Sequence, residues 1–342
     1  MVNLKQVAAL AGVSAATVSR TLSAPHLVNA KTRERVERAI AALDYLPHGA
    51  ARALRSNRTG SIGAALPALN NELYAAGTDA LQQVLESRGS TLLVTSYRYD
   101  PTVEVGSVRT LLERGVDGLV LVGRQHDPAL YDRIARRRVP YVLAWALDET
   151  GDHPAVGYSN RKASAKLARH LLDLGHVHFA MVSGRLERSD RARDRVEGVR
   201  ATLAAHGLAL RPTHLLETGY TLSEGREAMT RLLAVRPRPT AVICGNDLVA
   251  VAAIAACRER GLEVPNDISV AGFGDMEIAA LRTPPVTTIR SPIAAIGEAA
   301  GEQILSRIAG VDRPSKVEFE AELVIRGSTG PVPRELREAA AR

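Results

Sequence analysis

The chain has 342 residues, 46% of them hydrophobic and 24% charged, with a net charge of +7. That length implies about two or three domains with room for real cores, and no apolar run approaches the roughly 20 residues that a membrane span needs. Met-Val-Asn-Leu-Lys-Gln at the start lacks the regions of a secretory signal, and Cys244 and Cys257 lack the paired spacing of a zinc or disulfide site, so a cytoplasmic protein without metal or cofactor is expected.

In chain order, Leu4, Val7, Ala8 and Ala11 recur at helical spacing behind Asn3, a residue suited to an N-cap. Gly12 allows the left-handed backbone of a tight turn, and Val13 plugs the angle it makes. Ser14 then caps a second helix, with Ala15, Val18 and Leu22 expected to face inward and Ala16, Thr17, Ser19 and Arg20 outward. Two short helices joined by a Gly turn form a helix-turn-helix, whose second helix fits a DNA major groove. Small side chains let it approach, hydroxyls reach phosphates, and Arg20 can bridge the two acceptors of a guanine.

Residues 31–43 predict a third helix, with Val36, Ala39, Ile40 and Leu43 on one face and Lys31 and Thr32 at its start to hold a phosphate. Residues 1–60 hold nine Lys or Arg against three acids, so +6 of the net +7 lies there. A basic module on a nearly neutral body is the charge pattern of a nucleic-acid-binding head. After this head (1–46), residues 47–60 read as a hinge: Pro47 can start a short helix, but Gly49 weakens it and two turns are marginal alone. Ordering its eight residues costs on the order of 8–16 kcal/mol, so it is expected to be helical only against a partner. Leu54, apolar, would be a wedge for a minor-groove base step.

From Ser61 strand-like and helical stretches alternate, in about five units on each side of residues 146–160. The fold class is therefore a small all-α head plus an α/β body of two lobes, each a parallel doubly wound sheet of the periplasmic-binding-protein kind, over residues 61–330. The N-lobe takes about 61–159 and 291–318, and the C-lobe about 160–290 and 319–330; one strand is expected over Val317–Ile325, and a disordered tail over 331–342. Ligands of such sheets bind at the carboxyl ends of the strands, hence in the cleft. Asn70, Tyr74, Tyr97, Arg98, Arg124, Trp145, Arg195, Tyr220, Asn246, Asp247 and Asp275 fall at those ends and would line a pocket for a sugar-like ligand. No phosphate loop, dinucleotide fingerprint or nucleophile elbow is present, which counts against a kinase, dehydrogenase or hydrolase. His176 and His178 lack the companions of a metal site. A transport-type sugar receptor would share the lobes but has no use for a basic head.

The motif Gln-Val-Ala-x-x-Ala-Gly-Val-Ser-x-x-Thr-Val-Ser-Arg (Gln6–Arg20) is joined by Thr-Arg-Glu-Arg-Val (Thr32–Val36), Tyr-x-Pro (Tyr45–Pro47) and Arg-Thr-Gly-Ser-Ile-Gly (Arg58–Gly63). Leu-x-x-Leu-Gly-His (Leu171–His176), Asn-Asp-Leu-x-Ala (Asn246–Ala250) and Pro-Pro-Val-Thr-Thr-Ile (Pro284–Ile289) follow in order. With these, nearly the whole chain resembles the LacI/GalR family of bacterial transcription regulators. The resemblance implies a homodimeric repressor on a pseudo-palindromic operator, switched by a small sugar-like effector. It places base reading on Ala15, Ala16 and Arg20, the minor-groove lever on Leu54, and phosphate contacts on Ser14, Thr17, Ser19, Asn29 and Thr32. Leu4, Tyr45, His48 and Ala51 complete the DNA-facing set, and the effector positions fall on Arg195, Tyr220, Asn246 and around Asp275. Two departures stand out. Ala15-Ala16 offers no hydrogen-bonding group, so readout leans on Arg20 and on DNA deformability. Gly274 stands where many sugar-binding members have an Asp. Ser-Tyr-Arg-Tyr at 96–99, Gly-Arg-Gln-His at 123–126, Trp145 and Gly-Phe-Gly-Asp at 272–275 are similar to the gluconate-repressor branch, and pocket arginines suit a carboxylate, so a sugar acid such as gluconate is expected. The C-terminus is too short and Leu-poor for a tetramerising heptad helix.

Overall fold

A computed structural model describes residues 2–45, 58–147, 151–311 and 313–332. The chain divides into two units, Met1–Gly60 and Ser61–Arg342. In the first, helices α1 (Leu4–Ala11), α2 (Ala15–Ser23) and α3 (Ala30–Ala42) are each started by a side chain. Asn3 accepts from the Gln6 amide while the Gln6 side chain accepts from the Asn3 amide, which satisfies two orphan donors reciprocally. Ser14 accepts from the Thr17 amide and Asn29 from the Thr32 amide. Gly12 ends α1 with φ +62°, a left-handed conformation that carries no Cβ penalty. Val7, Ala8, Ala11, Val18, Val36, Ala39 and Tyr45 form one small core. Leu22 departs from expectation: it is 37% exposed, and Thr21 is buried in its place. The inward stripe of α2 runs from Val18 to the residue three later, and the Thr21 hydroxyl donates to the Thr17 carbonyl.

The second unit holds two parallel sheets and a small antiparallel pair. The first contains β1 (Ser61–Leu66), β2 (Thr91–Ser96), β3 (Gly118–Val122), β4 (Tyr141–Ala144), β5 (Ala155–Gly157) and β11 (Lys316–Glu318), in the order β11-β5-β4-β3-β1-β2, all pairs parallel. The second contains β6 (Phe179–Gly184), β7 (Leu215–Thr218), β8 (Ala241–Cys244) and β9 (Ser269–Ala271), parallel in the order β7-β6-β8-β9. Strands such as Gly118–Val122 and Ala241–Cys244 are buried throughout, as parallel strands covered on both faces must be.

Helices α4 (Glu72–Ser87), α5 (Pro101–Glu113), α6 (Pro128–Arg137) and α12 (Ile293–Ala309) belong to the first lobe. The second has α7 (Asn160–Asp173), α8 (Asp190–Ala204), α9 (Leu222–Ala234), α10 (Asp247–Arg258) and the short α11 (Glu277–Ala280). A third, two-stranded sheet, β10 (Thr288–Arg290) with β12 (Glu322–Val324), is antiparallel. The single strand expected over Val317–Ile325 is therefore two. Its first part, β11, extends the first sheet, and after residues 319–321 its second part, β12, pairs with β10 of the other lobe. The chain passes between lobes here and twice more, near Tyr158 and Ser291, whose hydroxyls bond at 2.9 Å. No described helix is long and apolar enough to cross a membrane.

Candidate functional site

On the head, α2 presents Ala16 and Arg20 as exposed side chains, with Ala15, Thr17 and Ser19 half-buried beside them. Ser14 and Thr17 hydroxyls lie 2.9 Å apart at the start of the helix, so two of the expected phosphate contacts are held together by the N-cap itself. At the start of α3, where Lys31 is exposed, the Thr32 amide donates to Asn29 Oδ1 at 2.8 Å. Arg35 clamps the turn: its guanidinium donates to the Ala11 and Gly12 carbonyls at 2.5 and 2.9 Å. Two expected contacts sit deeper than the sequence implied. Leu4 is half-buried against the head core, and Tyr45 is buried within it. His48, Ala51 and Leu54 lie outside the described residues.

Between the lobes of the second unit, a cavity of about 40 Å³ is lined by Asn71, Leu73, Tyr74, Tyr99, Trp145, Tyr158, Arg191, Arg195, Tyr220, Gly245, Asn246, Phe273 and Ile293. Segments just past strand ends deliver Tyr99, Trp145, Tyr220, Asn246 and Phe273, three of them with positive φ, and helices α4, α8 and α12 deliver Tyr74, Arg191, Arg195 and Ile293. Tyr99, Trp145 and Tyr220 have φ of +57°, +63° and +63°, a region that bulky residues rarely occupy. Tyr74 meets Trp145 edge to face with ring centroids 5.8 Å apart, and Tyr158 stacks on Phe273 at 6.3 Å. The Arg195 guanidinium lies 4.6 Å from the centre of the Phe273 ring and donates to the Tyr220 hydroxyl at 3.3 Å. Three buried donors of this lining, Trp145 Nε1, Arg195 Nε and Asn246 Nδ2, have no hydrogen-bond partner among the described residues. An unmade bond to a buried donor costs about 1–3 kcal/mol, so three facing one cavity mark a place for acceptors.

Of the residues expected there, Tyr74, Trp145, Arg195, Tyr220 and Asn246 line this cavity together. The others do not. Asn70 is exposed, and Asn71 lines the cavity in its stead while capping α4 at 2.9 Å. Arg98 is exposed. Asp275 braces the interlobe strands, with Arg290 at 2.7 Å and Arg326 at 2.5 Å. Asp247 faces away, accepting from the Thr288 hydroxyl at 2.6 Å and the Met276 amide at 2.8 Å. Burial pushes its carboxyl up to about 6 despite those two bonds. Tyr97 lines an adjoining chamber of about 260 Å³ with Tyr99, Glu104, His126, Arg188, Asp190 and Arg191 among its walls. Arg124 holds Asp194 of α8 through both carboxylate oxygens, at 2.6 and 2.7 Å. Tyr158 and Arg191 escaped the sequence analysis, and Tyr99 and Phe273 entered it only within motifs of the branch resemblance, not as expected pocket residues. Asp-Arg-Ala-Arg-Asp-Arg looks like a solvated helix face, yet Arg191 is buried. His176 is bonded to Thr240 and Ser269 at 3.0 Å each, a tie between strands of the second sheet.

This combination of a small helix-turn-helix unit and a two-lobed α/β body with a polar cleft can be set against known proteins. The pattern described as "Bacterial regulatory proteins, lacI family" matches residues 3–48, and that of the "Periplasmic binding protein-like domain" matches residues 168–329. The HTH-type transcriptional regulator reg1 of Streptomyces lividans is 35% identical over 97% of this chain and 98% of its own length. The chain belongs to the LacI family of bacterial regulatory proteins. It is a DNA-binding transcriptional regulator. The HTH-type transcriptional regulator MalR of Streptomyces coelicolor is similar at 34% identity, again over 97% of this chain and 98% of its own. A crystal structure of the lac repressor dimer bound to operator and the anti-inducer ONPF matches with a TM-score of 0.86 and 29% identity, covering 96% of this chain and 99% of that one.

Proposed function

We propose that this LacI-family regulator is a cytoplasmic repressor, not an enzyme, that grips a pseudo-palindromic operator as a homodimer and releases or tightens that grip when a sugar-type effector fills the cleft. The head over residues 1–46 reads DNA chiefly through Arg20, and residues 47–60 act as a hinge carrying the Leu54 wedge. Residues 61–330 bind effector and dimerise.

The effector is a sugar acid such as gluconate. One observation carries this: Arg195 is half-buried at the cavity with its Nε buried and unbonded, beside two further unbonded donors, Trp145 Nε1 and Asn246 Nδ2. Its other bond goes to a tyrosine hydroxyl and its face to Phe273, so the lining supplies no carboxylate for it. A guanidinium so placed favours a planar anion, while the aromatic walls favour a sugar ring. At about 40 Å³ the cavity holds a few water molecules, so the lobes must part for a sugar to bind.

The test is selection of bound sites from random duplex DNA with the intact protein, in the presence and absence of D-gluconate, D-glucuronate and D-galacturonate. An enriched pseudo-palindrome whose yield changes with one of these acids is expected, and Arg20→Ala should flatten the enriched sequence. Failure to enrich any sequence would remove the operator reading. A thermal shift with ATP or NAD and none with any sugar acid would favour an α/β enzyme instead.

A further inference from the structure

Besides the three chain crossings and a bond from the Glu277 amide to the Glu72 carboxylate at 3.0 Å, a built cluster of charges joins the lobes. Residues 123–125 follow β3 in the first lobe, and Glu187–Asp194 lead into α8 in the second. The Arg124 amide donates to Asp190 Oδ2 at 2.7 Å, and its guanidinium holds Asp194 as described. Arg191 donates to the Val122 carbonyl at 3.1 Å and to Asp190 Oδ1 at 2.9 Å through the same Nη1. Gln125 Nε2 adds a bond to the Glu187 carbonyl at 3.0 Å. Gly123 (φ +87°) makes room for this cluster, since a Cβ there would lie 1.9 Å from Arg191 Nη1 and 2.6 Å from Asp190 Oδ1.

Arg191 has a second neighbour. With Tyr99 it lines both the inner cavity and the outer chamber, while Asp190 lines only the outer one. Asp190 is shared between Arg191 and the Arg124 side chain, whereas Arg195 bonds to the Tyr220 hydroxyl, lies over Phe273 and meets no carboxylate in the cavity lining. An acidic ligand in the inner cavity would stand against both Arg191 and Arg195. Resting on the sugar-acid reading of the cleft, we propose that Asp190 is an internal stand-in for the effector's acidic group, and that the effector's carboxylate takes Arg191 from it. Arg191 and Asp190 are each bonded to the first lobe, through the Val122 carbonyl and the Arg124 amide. The Nη1 that the effector would take from Asp190 also holds the Val122 carbonyl, so exchange at that atom gives up a bond to the first lobe as well. Acid recognition and the lobe contact are then one event, and Arg191 sets the preference for an acid over its neutral counterpart.

Calorimetric titration of the full chain with the three acids, and with D-gluconamide as the neutral match to D-gluconate, tests this. Asp190→Asn keeps the shape and removes the competing charge, so acid affinity should rise about tenfold while gluconamide stays within about threefold. Arg191→Gln should lower acid affinity on the order of 100-fold with the same small change for gluconamide. Should the lone Asp190 charge unfold that variant, the charge-free pair Asp190→Asn with Arg191→Gln gives the same reading. If the wild type binds none of the acids, the sugar-acid reading falls and the exchange with it. If the wild type binds an acid but the ratio of acid to amide affinity is unmoved in these variants, the exchange alone is overturned.

Discussion

Asp247 shows how a single residue beside the cleft carries a pH signature. Burial raises its carboxyl from 3.8 to about 6, outweighing the hydrogen bonds from Thr288 and the Met276 amide, with nearby Asp275 adding to the rise. Between pH 4 and 6 the folded chain therefore holds a proton here that the unfolded chain has lost. Its contribution to stability is fully present below pH 3.8 and is lost as pH rises through about 6. The loss amounts to about 3 kcal/mol across that window. Asp190 works in the opposite sense. Burial alone would raise it, but Arg191 and Arg124 together hold it below 3.8, so its contribution is lost only as pH falls below that value. Urea unfolding of wild type and Asp247→Asn at pH 4, 5, 6 and 7 should show the two curves diverging between pH 4 and 6. Parallel curves would contradict the assignment. Gly123→Ala offers a second test at this scale. Its Cβ meets the Arg191–Asp190 cluster and its φ is positive, so a loss of about 1–3 kcal/mol is expected in the same unfolding assay.

Among the elements, those with local causes were legible. Asn3, Ser14 and Asn29 cap their helices, and Gly12 turns the chain, all through groups within three residues in sequence. Arg35 was not legible as the clamp on that turn, because its partners lie 23 and 24 residues away. Arg35→Ala should cost about 1–3 kcal/mol by freeing the Ala11 and Gly12 carbonyls, read as faster amide exchange at the end of α1. Leu22 misled because spacings of three and four both suit a helix, and only packing chooses Thr21. Val317–Ile325 misled because alternation marks a strand without saying which sheet receives it. The same limit governs the cleft. Trp145 and Tyr220 announce themselves as aromatics just past strand ends and Tyr74 as one in the first turn of α4, whereas Tyr99 is turned inward by a positive φ that no residue pattern reveals. Arg191 is concealed in a basic run, and its burial follows from the other lobe's Val122 carbonyl.

At the scale of the whole molecule, charge and core divide along the chain. The first 60 residues carry nearly all of the net charge and have their own core of seven buried side chains. The body is nearly neutral and carries the cavity. Binding driven by such a head depends on counterion release, so operator affinity should fall on the order of 10³-fold between 50 and 200 mM salt. A slope near zero would mean that the basic residues are not on the DNA. The body's part is a bias on that grip, with a coupling of about 1–3 kcal/mol typical of linked sites. Fluorescence anisotropy of the selected operator, titrated with intact protein in the presence and absence of saturating sugar acid, measures that coupling directly. The expected result is a 5–150-fold change in operator affinity that disappears in Arg195→Gln. An acid that calorimetry shows to be bound, yet leaves operator affinity unchanged in the wild type, would contradict it.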